Sequence, residues 1–360
     1  MPKPPEIIKG RGAISNPEGR FESRRVEVVD DGWSIDDEAK ELPPLQTTVM
    51  AEHAKSILTR NDSPDVGFDV SINPYRGCEH GCVYCYARPD HSYVNLSPGL
   101  DFETKLFYKQ DAAKLLDTEL RRRSYVCKPI NIGASTDPYQ PIERKLEVTR
   151  SLLEVMCRFR HPITIVTKSA LIERDIDLLT DLARDDLVNV FVSITTLNAE
   201  LKRTLEPRAP SPAARLRAVR ALRAAGIPVG VLIAPIIPAV NDAELESIVE
   251  ACAQAGARTC GYVVLRLPRE VKDLFREWLD AHLPLRAAHV MSLINDMRGG
   301  KDNDARFGTR MKGEGPIAEL IRTRFHAACR RHGLARAREV ALSTDRFRVP
   351  PEETPQLTLW

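Results

Sequence analysis

The fold class can be inferred from residues 163–195, whose sequence is ITIVTKSALIERDIDLLTDLARDDLVNVFVSIT. The segments 163–167 and 188–195 are short, continuous apolar runs, which are typical of strands buried on both faces of a parallel sheet. Between them, residues 172–184 place apolar side chains at helical spacing. This strand–helix–strand repeat predicts an α/β fold in which helices connect parallel strands.

The same alternation continues on both sides of this repeat. Further strands are predicted at 67–73, 129–134, 227–234 and 259–265, and further helices at 111–123, 145–159 and 212–225. Gly226 ends the last of these helices, and Asn241 with Glu244 predicts a capping box that begins the next helix. Six repeats are too few for a closed eight-fold barrel, which needs about 250 residues. We therefore expect a partial (β/α)6 TIM-like barrel, with a doubly wound open sheet as the alternative.

The two ends of the chain differ from this central unit. Residues 1–66 are rich in charge, proline and glycine, so we expect an extended or partly disordered N-terminal arm. Residues 67–283 form the predicted barrel, and residues 284–360 a basic, helical C-terminal extension. No apolar leader and no apolar run of about eighteen residues occurs, so we expect a cytoplasmic protein without a membrane span.

The most informative local pattern is the placement of Cys78, Cys82 and Cys85 within residues 73–89, NPYRGCEHGCVYCYARP. In a reducing compartment these residues are not expected to form disulfides, and thiolates suit zinc and iron–sulfur clusters. Most [4Fe–4S] clusters take four cysteines, so three from one loop would leave one iron free for a substrate or cofactor. The alternative is a non-catalytic zinc module with His80 as the fourth ligand, although His80 lies too close to the cysteines for the usual zinc spacing.

With Tyr84 before the last cysteine, this motif resembles that of the radical S-adenosylmethionine (SAM) superfamily. The pattern NPYxGCxHxCxYCYAR is similar to the spore photoproduct lyase-like branch of that superfamily. The resemblance implies a [4Fe–4S] cluster on the three cysteines and SAM bound to the open iron. An electron would cleave SAM and yield a 5′-deoxyadenosyl radical that abstracts hydrogen from a substrate. It also implies an electron donor of the flavodoxin or ferredoxin type.

The resemblance further implies roles for residues near the predicted strand ends. Tyr84 would lie near the hydrogen-transfer route, as a catalytic residue, or only shield the cluster from water. Contacts with SAM are implied for Tyr86, Ser135, Thr136, Asp137, Lys168 and Ser193. A hydroxyl and a carboxylate suit the ammonium of SAM, although residues 135–137 also fit a plain turn. The turn 235–242 would border the adenine.

One position departs from the lyase, which uses a cysteine just ahead of the Ser-Asp pair to return hydrogen to the product. Ala134 occupies that place, and Cys127 precedes the strand. Repair of spore photoproduct by the same route is therefore not expected. The remaining cysteines are expected to be buried filler rather than ligands of an auxiliary cluster. They are Cys127, Cys157, Cys252, Cys260 and Cys329.

The C-terminal region suggests macromolecular partners. Residues 298–338 hold eleven Lys or Arg against four Asp or Glu, which is compatible with a nucleic-acid substrate, damaged or modified, or with a solvated helix face. A protein or small-molecule substrate is the alternative. The last residues, Gln356, Leu357, Leu359 and Trp360, resemble the pentapeptide by which bacterial repair proteins dock on the sliding clamp. Trp360 departs from the usual Phe, and packing back onto the domain is the alternative to docking.

Overall fold

The computed structural model describes residues 7–22, 46–336 and 342–351. The strands within these ranges are β1 (Thr48–Glu52), β2 (Leu58–Arg60), β3 (Val70–Ile72), β4 (Tyr75–Arg76), β5 (Lys105–Lys109), β6 (Ile130–Ile132), β7 (Ile163–Thr167), β8 (Val188–Ser193), β9 (Val229–Ile236), β10 (Thr259–Val264) and β11 (Ala335–Arg336). The α-helices are α1 (Asp101–Thr104), α2 (Ala112–Leu120), α3 (Glu143–Leu146), α4 (Val148–Phe159), α5 (Ile176–Ala183), α6 (Ala199–Leu205), α7 (Pro212–Ala224), α8 (Leu245–Gln254), α9 (Val271–His282), α10 (Ala287–Asp296) and α11 (Gly315–Arg331).

The main sheet has eight strands in the order β11-β10-β9-β8-β7-β6-β3-β2. Its six central strands are parallel and follow chain order without reversal. A doubly wound sheet reverses its strand order at a switch point, so this order excludes that alternative. Among the described residues the outer strands β2 and β11 do not pair, and the sheet is an open arc. The predicted partial barrel is confirmed.

The strand register aligns the apolar residues that build the core. Ile130 of β6 pairs with Ile163 of β7, which pairs with Val188 of β8, and all three side chains are fully buried. All six residues of β8 are buried, as expected for a strand covered on both faces. Because parallel strands end at one edge of a sheet, the residues that follow β6, β7, β8, β9 and β10 gather at one mouth of the barrel.

Three local predictions need correction. The predicted helix 145–159 is broken, because Glu147 adopts a left-handed conformation between α3 and α4. The predicted helix 172–184 begins as a 3-10 segment, Ala170–Asp175, before α5. The capping box of Asn241 and Glu244 is wrong, since the Asn241 side chain forms no cap hydrogen bond and turns towards the barrel instead.

The chain ends take part in the fold more than the sequence indicated. Strands β1 and β2 lie within the predicted arm 1–66, and β1 joins β5 and β4 in a three-stranded sheet. Ala13 and Ile14 are buried against the body of the protein. The C-terminal extension contains the predicted helices and also supplies β11 to the main sheet. Over the described residues, no helix is both long and apolar enough to cross a bilayer. The peptide 356–360 lies outside the described residues.

Candidate metal centre

The three motif cysteines lie in one tightly anchored loop that follows β4. Cys78 and Cys82 are each 8% exposed, and Cys85 is half-buried. Backbone hydrogen bonds fasten the loop at both ends: the Cys78 N–H donates to the Phe102 carbonyl (3.0 Å), and the Val83 N–H to the Leu205 carbonyl (3.1 Å). The loop therefore presents the thiols as a fixed group between α1 and α6.

The three thiols are close neighbours in the folded loop. Burial raises the pKa of Cys78, and Asp137, Cys82 and Cys85 raise it further. Cysteine thiolates are the ligands of iron–sulfur clusters, and three of them leave one iron of a [4Fe–4S] cubane open. Structural zinc needs a fourth ligand, and His80 is the candidate for it.

His80, the fourth ligand in the zinc alternative, faces another residue. Its Nδ1 atom lies 3.2 Å from Oδ2 of Asp137, and both side chains are buried. Asp137 also accepts hydrogen bonds from the Thr167 hydroxyl (2.7 Å) and the Lys168 backbone N–H (2.7 Å). Burial raises the pKa of Asp137, but His80 and these donors outweigh it and lower the pKa to about 2. The carboxylate thus binds the cysteine loop to the end of β7.

The neighbouring Thr136 makes a second attachment of the same loop. Its hydroxyl donates to the Gly77 carbonyl (2.8 Å), which also accepts from Gln140 Nε2 (3.2 Å). Gly77 has a φ of +78°, and a Cβ there would lie 2.7 Å from Leu106, so glycine is required at this turn. In this structure the Thr136 hydroxyl and the Asp137 carboxylate, implied above to bind the SAM ammonium, are engaged by the protein.

A buried carboxylate, Glu206, stands on the barrel side of the loop. It pairs with Arg215, which is also buried, and accepts hydrogen bonds from the hydroxyls of Tyr84 and Thr195 (2.7 Å for Thr195). Burial raises the pKa of Glu206, but Arg215 and Lys168 outweigh it and lower the pKa to about 2. Tyr84 is therefore fixed through its hydroxyl, and its ring is buried beside Cys82 in one apolar cluster.

Lys168 and Ser193 come together at the barrel mouth. Lys168 follows β7, and its Nζ donates to the Ser193 hydroxyl (2.8 Å) at the end of β8. The same ammonium lies 3.8 Å from Glu206 Oε1 and 5.9 Å from the centre of the Tyr84 ring. A cation is therefore held next to the cysteine loop, where it can meet a carboxylate.

Tyr86 and Ser135 lie on the other side of the mouth. The Tyr86 hydroxyl donates to the carbonyl of Ala134, and its ring is 49% exposed. The Arg266 guanidinium, just after β10, lies 5.4 Å from the centre of that ring. The Ser135 backbone N–H donates to Asn73 Oδ1 (2.7 Å). The six residues implied to contact SAM thus follow or face the strand ends at the barrel mouth.

The turn 235–242 is held by the Asn241 amide. Its Nδ2 donates to the carbonyls of Thr195 (2.8 Å) and Pro235 (2.9 Å), and its Oδ1 accepts from the Ile237 N–H (2.7 Å). Three hydrogen bonds from one buried side chain fix the path of this turn at the end of β9. The turn stays the predicted border of the adenine.

On the side away from the barrel, the cysteine loop rests on a second buried carboxylate, Glu103. Arg88 pairs with Glu103, and its Nε donates to the Cys82 carbonyl (2.9 Å). Glu103 also accepts from the backbone N–H groups of Gly12 (3.0 Å) and Ala13 (2.8 Å). A Cβ on Gly12 would lie 1.7 Å from the Gly81 carbonyl oxygen. The N-terminal segment therefore crosses directly over the loop.

The sequence analysis did not identify the buried charged residues that anchor the cysteine loop, although the position of one of them could have indicated it. Arg215 shares the spacing of the buried Ala218, Val219 and Leu222 on α7. A cation on an apolar helix face indicates a buried acidic partner. Glu206 and Glu103 gave no comparable signal, since each sits at or in a short helix with no apolar period.

Three of the remaining cysteines lie close together in the fold, although they are far apart in the sequence. Cys252 of α8, Cys260 of β10 and Cys329 of α11 are buried, and their thiols influence one another. They lie near the start of β10, at the end of the barrel opposite the cysteine loop. The predicted burial is confirmed for these three, whereas Cys127 and Cys157 are only half-buried.

Four arginines of the basic segment form ion pairs within the protein. Arg310 pairs with Asp65 (2.5 Å) and Arg324 with Glu246 (2.7 Å). Arg306 and Arg322 pair with acidic residues of the same segment. Arg298 is 2% exposed and donates to backbone carbonyls, including that of Arg310 (2.8 Å). These arginines support the fold of the extension.

Comparisons with known proteins agree with this geometry. Residues 72–252 match the profile of the Radical SAM superfamily. An uncharacterized protein of Mycobacterium tuberculosis is 36% identical over 273 residues, which cover 71% of this chain and 80% of that protein. One of Methanocaldococcus jannaschii is 31% identical over 178 residues, covering 49% and 64%. A structure of spore photoproduct lyase with bound AdoMet and dinucleoside spore photoproduct has a TM-score of 0.58 at 15% identity, covering 79% of this chain and 80% of that one. The last match shows a shared fold.

Proposed function

This chain belongs to the radical SAM superfamily, and we propose that Cys78, Cys82 and Cys85 hold the [4Fe–4S] cluster with which it cleaves SAM. Enzymes of this superfamily use that cluster and SAM as cofactors. The observation that carries the assignment is the set of three neighbouring thiols in one anchored loop. When bound, the reduced cluster supplies the electron that splits SAM into methionine and a 5′-deoxyadenosyl radical.

The chain would orient SAM through the residues of the barrel mouth. Lys168, hydrogen-bonded to Ser193, would neutralise the SAM carboxylate or meet the ribose. Tyr86 and Ser135 would meet SAM from the other side. Thr136 and Asp137 would act mainly by anchoring the cysteine loop, because their side chains already bind Gly77, His80 and Thr167.

Tyr84 is better suited to shielding than to hydrogen transfer. Its hydroxyl donates to Glu206 and lies 3.2 Å from the Thr195 hydroxyl, and its side chain is 7% exposed. Burial and the Glu206 charge raise the pKa of Tyr84. A phenol bound to a carboxylate in this way keeps its proton and excludes water from the neighbouring Cys82.

The proposed substrate carries a nucleobase or a similar flat ring. The exposed ring of Tyr86 with the Arg266 guanidinium above it offers a stacking surface and a cation at the mouth. Spore photoproduct lyase, which shares the fold, was solved with bound AdoMet and a dinucleoside spore photoproduct. Ala134 at the position of the lyase cysteine supports a different fate for the product radical. The basic extension adds little support, because four of its arginines already form ion pairs within the protein.

The experiment that tests the proposal is anaerobic reconstitution followed by reduction with dithionite in the presence of SAM. We expect a brown protein with about four irons per chain and release of 5′-deoxyadenosine. Candidate nucleosides carrying deuterium would then be scored for label in 5′-deoxyadenosine. A colourless protein with one zinc per chain, or a brown one that leaves SAM intact, would refute the assignment.

A further inference from the structure

Two exposed aromatic rings, those of Phe21 and Tyr93, pack together on the surface, and we call them the rim pair. The two side chains are 56% and 61% exposed, and their ring centres lie 5.4 Å apart. The Arg20 guanidinium packs against both rings, 5.3 Å from the centre of Phe21 and 5.6 Å from that of Tyr93. Single exposed apolar side chains are common, whereas contiguous ones mark binding surfaces. The rim pair is therefore a candidate binding surface.

The segment that carries Phe21 is fixed to the body of the protein. Arg20 Nη2 donates to the Pro89 carbonyl (3.1 Å), and Arg20 Nε lies 3.1 Å from Glu270 Oε1. Upstream, Asn16 and Asp101 exchange two hydrogen bonds (3.1 and 2.9 Å). Groups that are already ordered lose little conformational entropy when a ligand binds. The rings are thus held ready for a ligand.

The rim pair shares its supporting segments with the stacking surface of Tyr86 and Arg266 at the barrel mouth. Tyr93 follows Tyr86 in the segment after the cysteine loop, and Glu270, which binds Arg20, follows Arg266 in the segment after β10. The two aromatic surfaces therefore lie along the same rim. Three of the four exposed Phe, Tyr or Trp side chains among the described residues belong to these two surfaces.

The same rim carries cations that are free to meet a ligand. A cavity of about 460 Å³ opens at the segment after β10, and Arg269, Lys272 and Lys301 line it. All three are exposed, and none takes part in the ion pairs of the described residues. The acidic residue of the cavity, Asp302, is already paired with Arg276 (2.7 Å). The cavity therefore has a positive potential that attracts phosphates.

We propose that the rim pair stacks on a second base beside the one at Tyr86, so that the substrate is a single strand of nucleic acid and not a free nucleoside. This inference rests on the proposed function. Stacking rings beside a cationic groove are how proteins bind single strands. Arg269, Lys272 and Lys301 would bind the phosphates of that strand. In a duplex the faces of the bases are already stacked on each other, so an intact double helix cannot use the rings.

The test measures the Kd of the reconstituted holoenzyme for a fluorescein-labelled strand of eight deoxythymidine nucleotides. A strand of eight uridine nucleotides and an eight-base-pair DNA duplex are measured in parallel. Phe21→Ala/Tyr93→Ala removes both rings, whereas Phe21→Tyr/Tyr93→Phe keeps a ring at each place. Lys272→Gln/Lys301→Gln removes two cations of the cavity, and its Kd is measured over a range of salt concentrations.

The matched control is Val126→Ala/Val349→Ala, which also shortens two exposed apolar side chains. Val126 precedes β6, and Arg348, the neighbour of Val349, donates through its backbone N–H to the Phe159 carbonyl (3.0 Å), before β7. Parallel strands begin at the edge opposite the mouth. Both valines therefore lie far from the proposed site.

For Phe21→Ala/Tyr93→Ala we expect the Kd for a single strand to rise about tenfold. Phe21→Tyr/Tyr93→Phe and the valine control should stay within about twofold of the unmodified enzyme. Lys272→Gln/Lys301→Gln should reduce the slope of log Kd against log salt by about 1.4, since each phosphate contact of a single strand contributes about 0.7. The duplex should bind about tenfold more weakly than the strands.

An unchanged Kd in the alanine variant would overturn the inference, as would an equal loss in Phe21→Tyr/Tyr93→Phe. A duplex that binds as tightly as the strands would contradict the single-strand assignment, and an unchanged salt slope would contradict the phosphate site. A loss with either strand supports the inference, and the strand with the larger loss identifies DNA or RNA.

The proposed function is tested separately by 5′-deoxyadenosine release from the unmodified holoenzyme with dithionite. If SAM is cleaved but the alanine variant keeps its affinity for both strands, only this inference is wrong. If SAM is not cleaved, the proposed function fails, and the rim pair is not a substrate site whatever strand it binds.

Discussion

The cysteine loop, residues 78–85, and the basic segment, residues 298–336, both stood out in the sequence but differ in what the fold does with them. The loop gathers its three thiols and is anchored from both sides by buried carboxylates, Glu103 and Glu206. In the basic segment four arginines are paired with acidic residues. The spacing of the cysteines in the sequence limits where their thiols can lie in the fold. A count of basic residues, by contrast, does not show which of them are paired with acidic groups.

The largest effect is expected at the loop itself. Cys85→Ala removes one of three thiolates, so the cluster should be lost and SAM cleavage should fall to background. Iron content after anaerobic reconstitution measures the first, and 5′-deoxyadenosine release the second. Cys127→Ala is the matched control and should retain both. Full iron content in Cys85→Ala would show that the loop is not the ligand set.

The carboxylate on the barrel side is the next test. Glu206→Gln leaves the buried Arg215 without a compensating charge, which typically costs about 3–5 kcal/mol in the free energy of unfolding. Urea unfolding of the reconstituted protein measures it. Glu200→Gln on α6, whose side chain is 86% exposed, should be close to neutral. A loss below about 1 kcal/mol would contradict the role given to this ion pair.

The same carboxylate predicts a pH dependence. Arg215 and Lys168 outweigh burial and hold the pKa of Glu206 at about 2, below its ordinary value of 4.5. A carboxyl group whose pKa is lower in the folded state stabilises that state at pH values above its ordinary pKa. This stabilisation is lost as the pH falls from 4.5 towards 2. The difference in unfolding free energy between the unmodified protein and Glu206→Gln should shrink over this interval. If the difference in unfolding free energy stayed constant between pH 5 and about 2, the lowered pKa of Glu206 would be contradicted.

A smaller effect is expected where the N-terminal segment crosses the loop. In Gly12→Ala the new Cβ would lie 1.7 Å from the Gly81 carbonyl oxygen, so the segment must shift, at about 1–3 kcal/mol. Iron should also be lost faster in air, because the segment covers the loop. Gly67→Ala, where a Cβ meets nothing within 4 Å, is the control. If the two variants had the same stability and lost iron at the same rate, the N-terminal segment would not protect the cysteine loop.

The smallest effect is expected in the basic segment. Arg322→Gln breaks an exposed pair with Glu319, so the midpoint of urea unfolding should not move measurably. Retention on a single-stranded DNA column should also be unchanged, since this arginine is already paired. A clear loss of salt-sensitive retention would restore the nucleic-acid interpretation of the segment.

The sequence predicted the features of the fold that depend on local patterns of residues. The apolar runs located all six central strands, and β7 matches its predicted bounds. The cysteine spacing identified the loop that we propose as the metal centre. What remained hidden depends on contacts between distant parts of the chain: Gly12 meets Glu103 across 91 residues, and Tyr84 meets Glu206 across 122. Thr136 and Asp137 show the same limit, because their bonds to the cysteine loop follow from how the loop packs and not from the turn they form.

The central claim is that three thiolates hold a cluster with one iron open to SAM. Electron paramagnetic resonance of the dithionite-reduced protein, recorded before and after addition of SAM, tests it most directly. We expect the signal of a reduced [4Fe–4S] cluster, and we expect its shape to change when SAM binds the open iron. A cluster signal that SAM leaves unaltered would mean that the fourth iron is closed, and the account would be wrong.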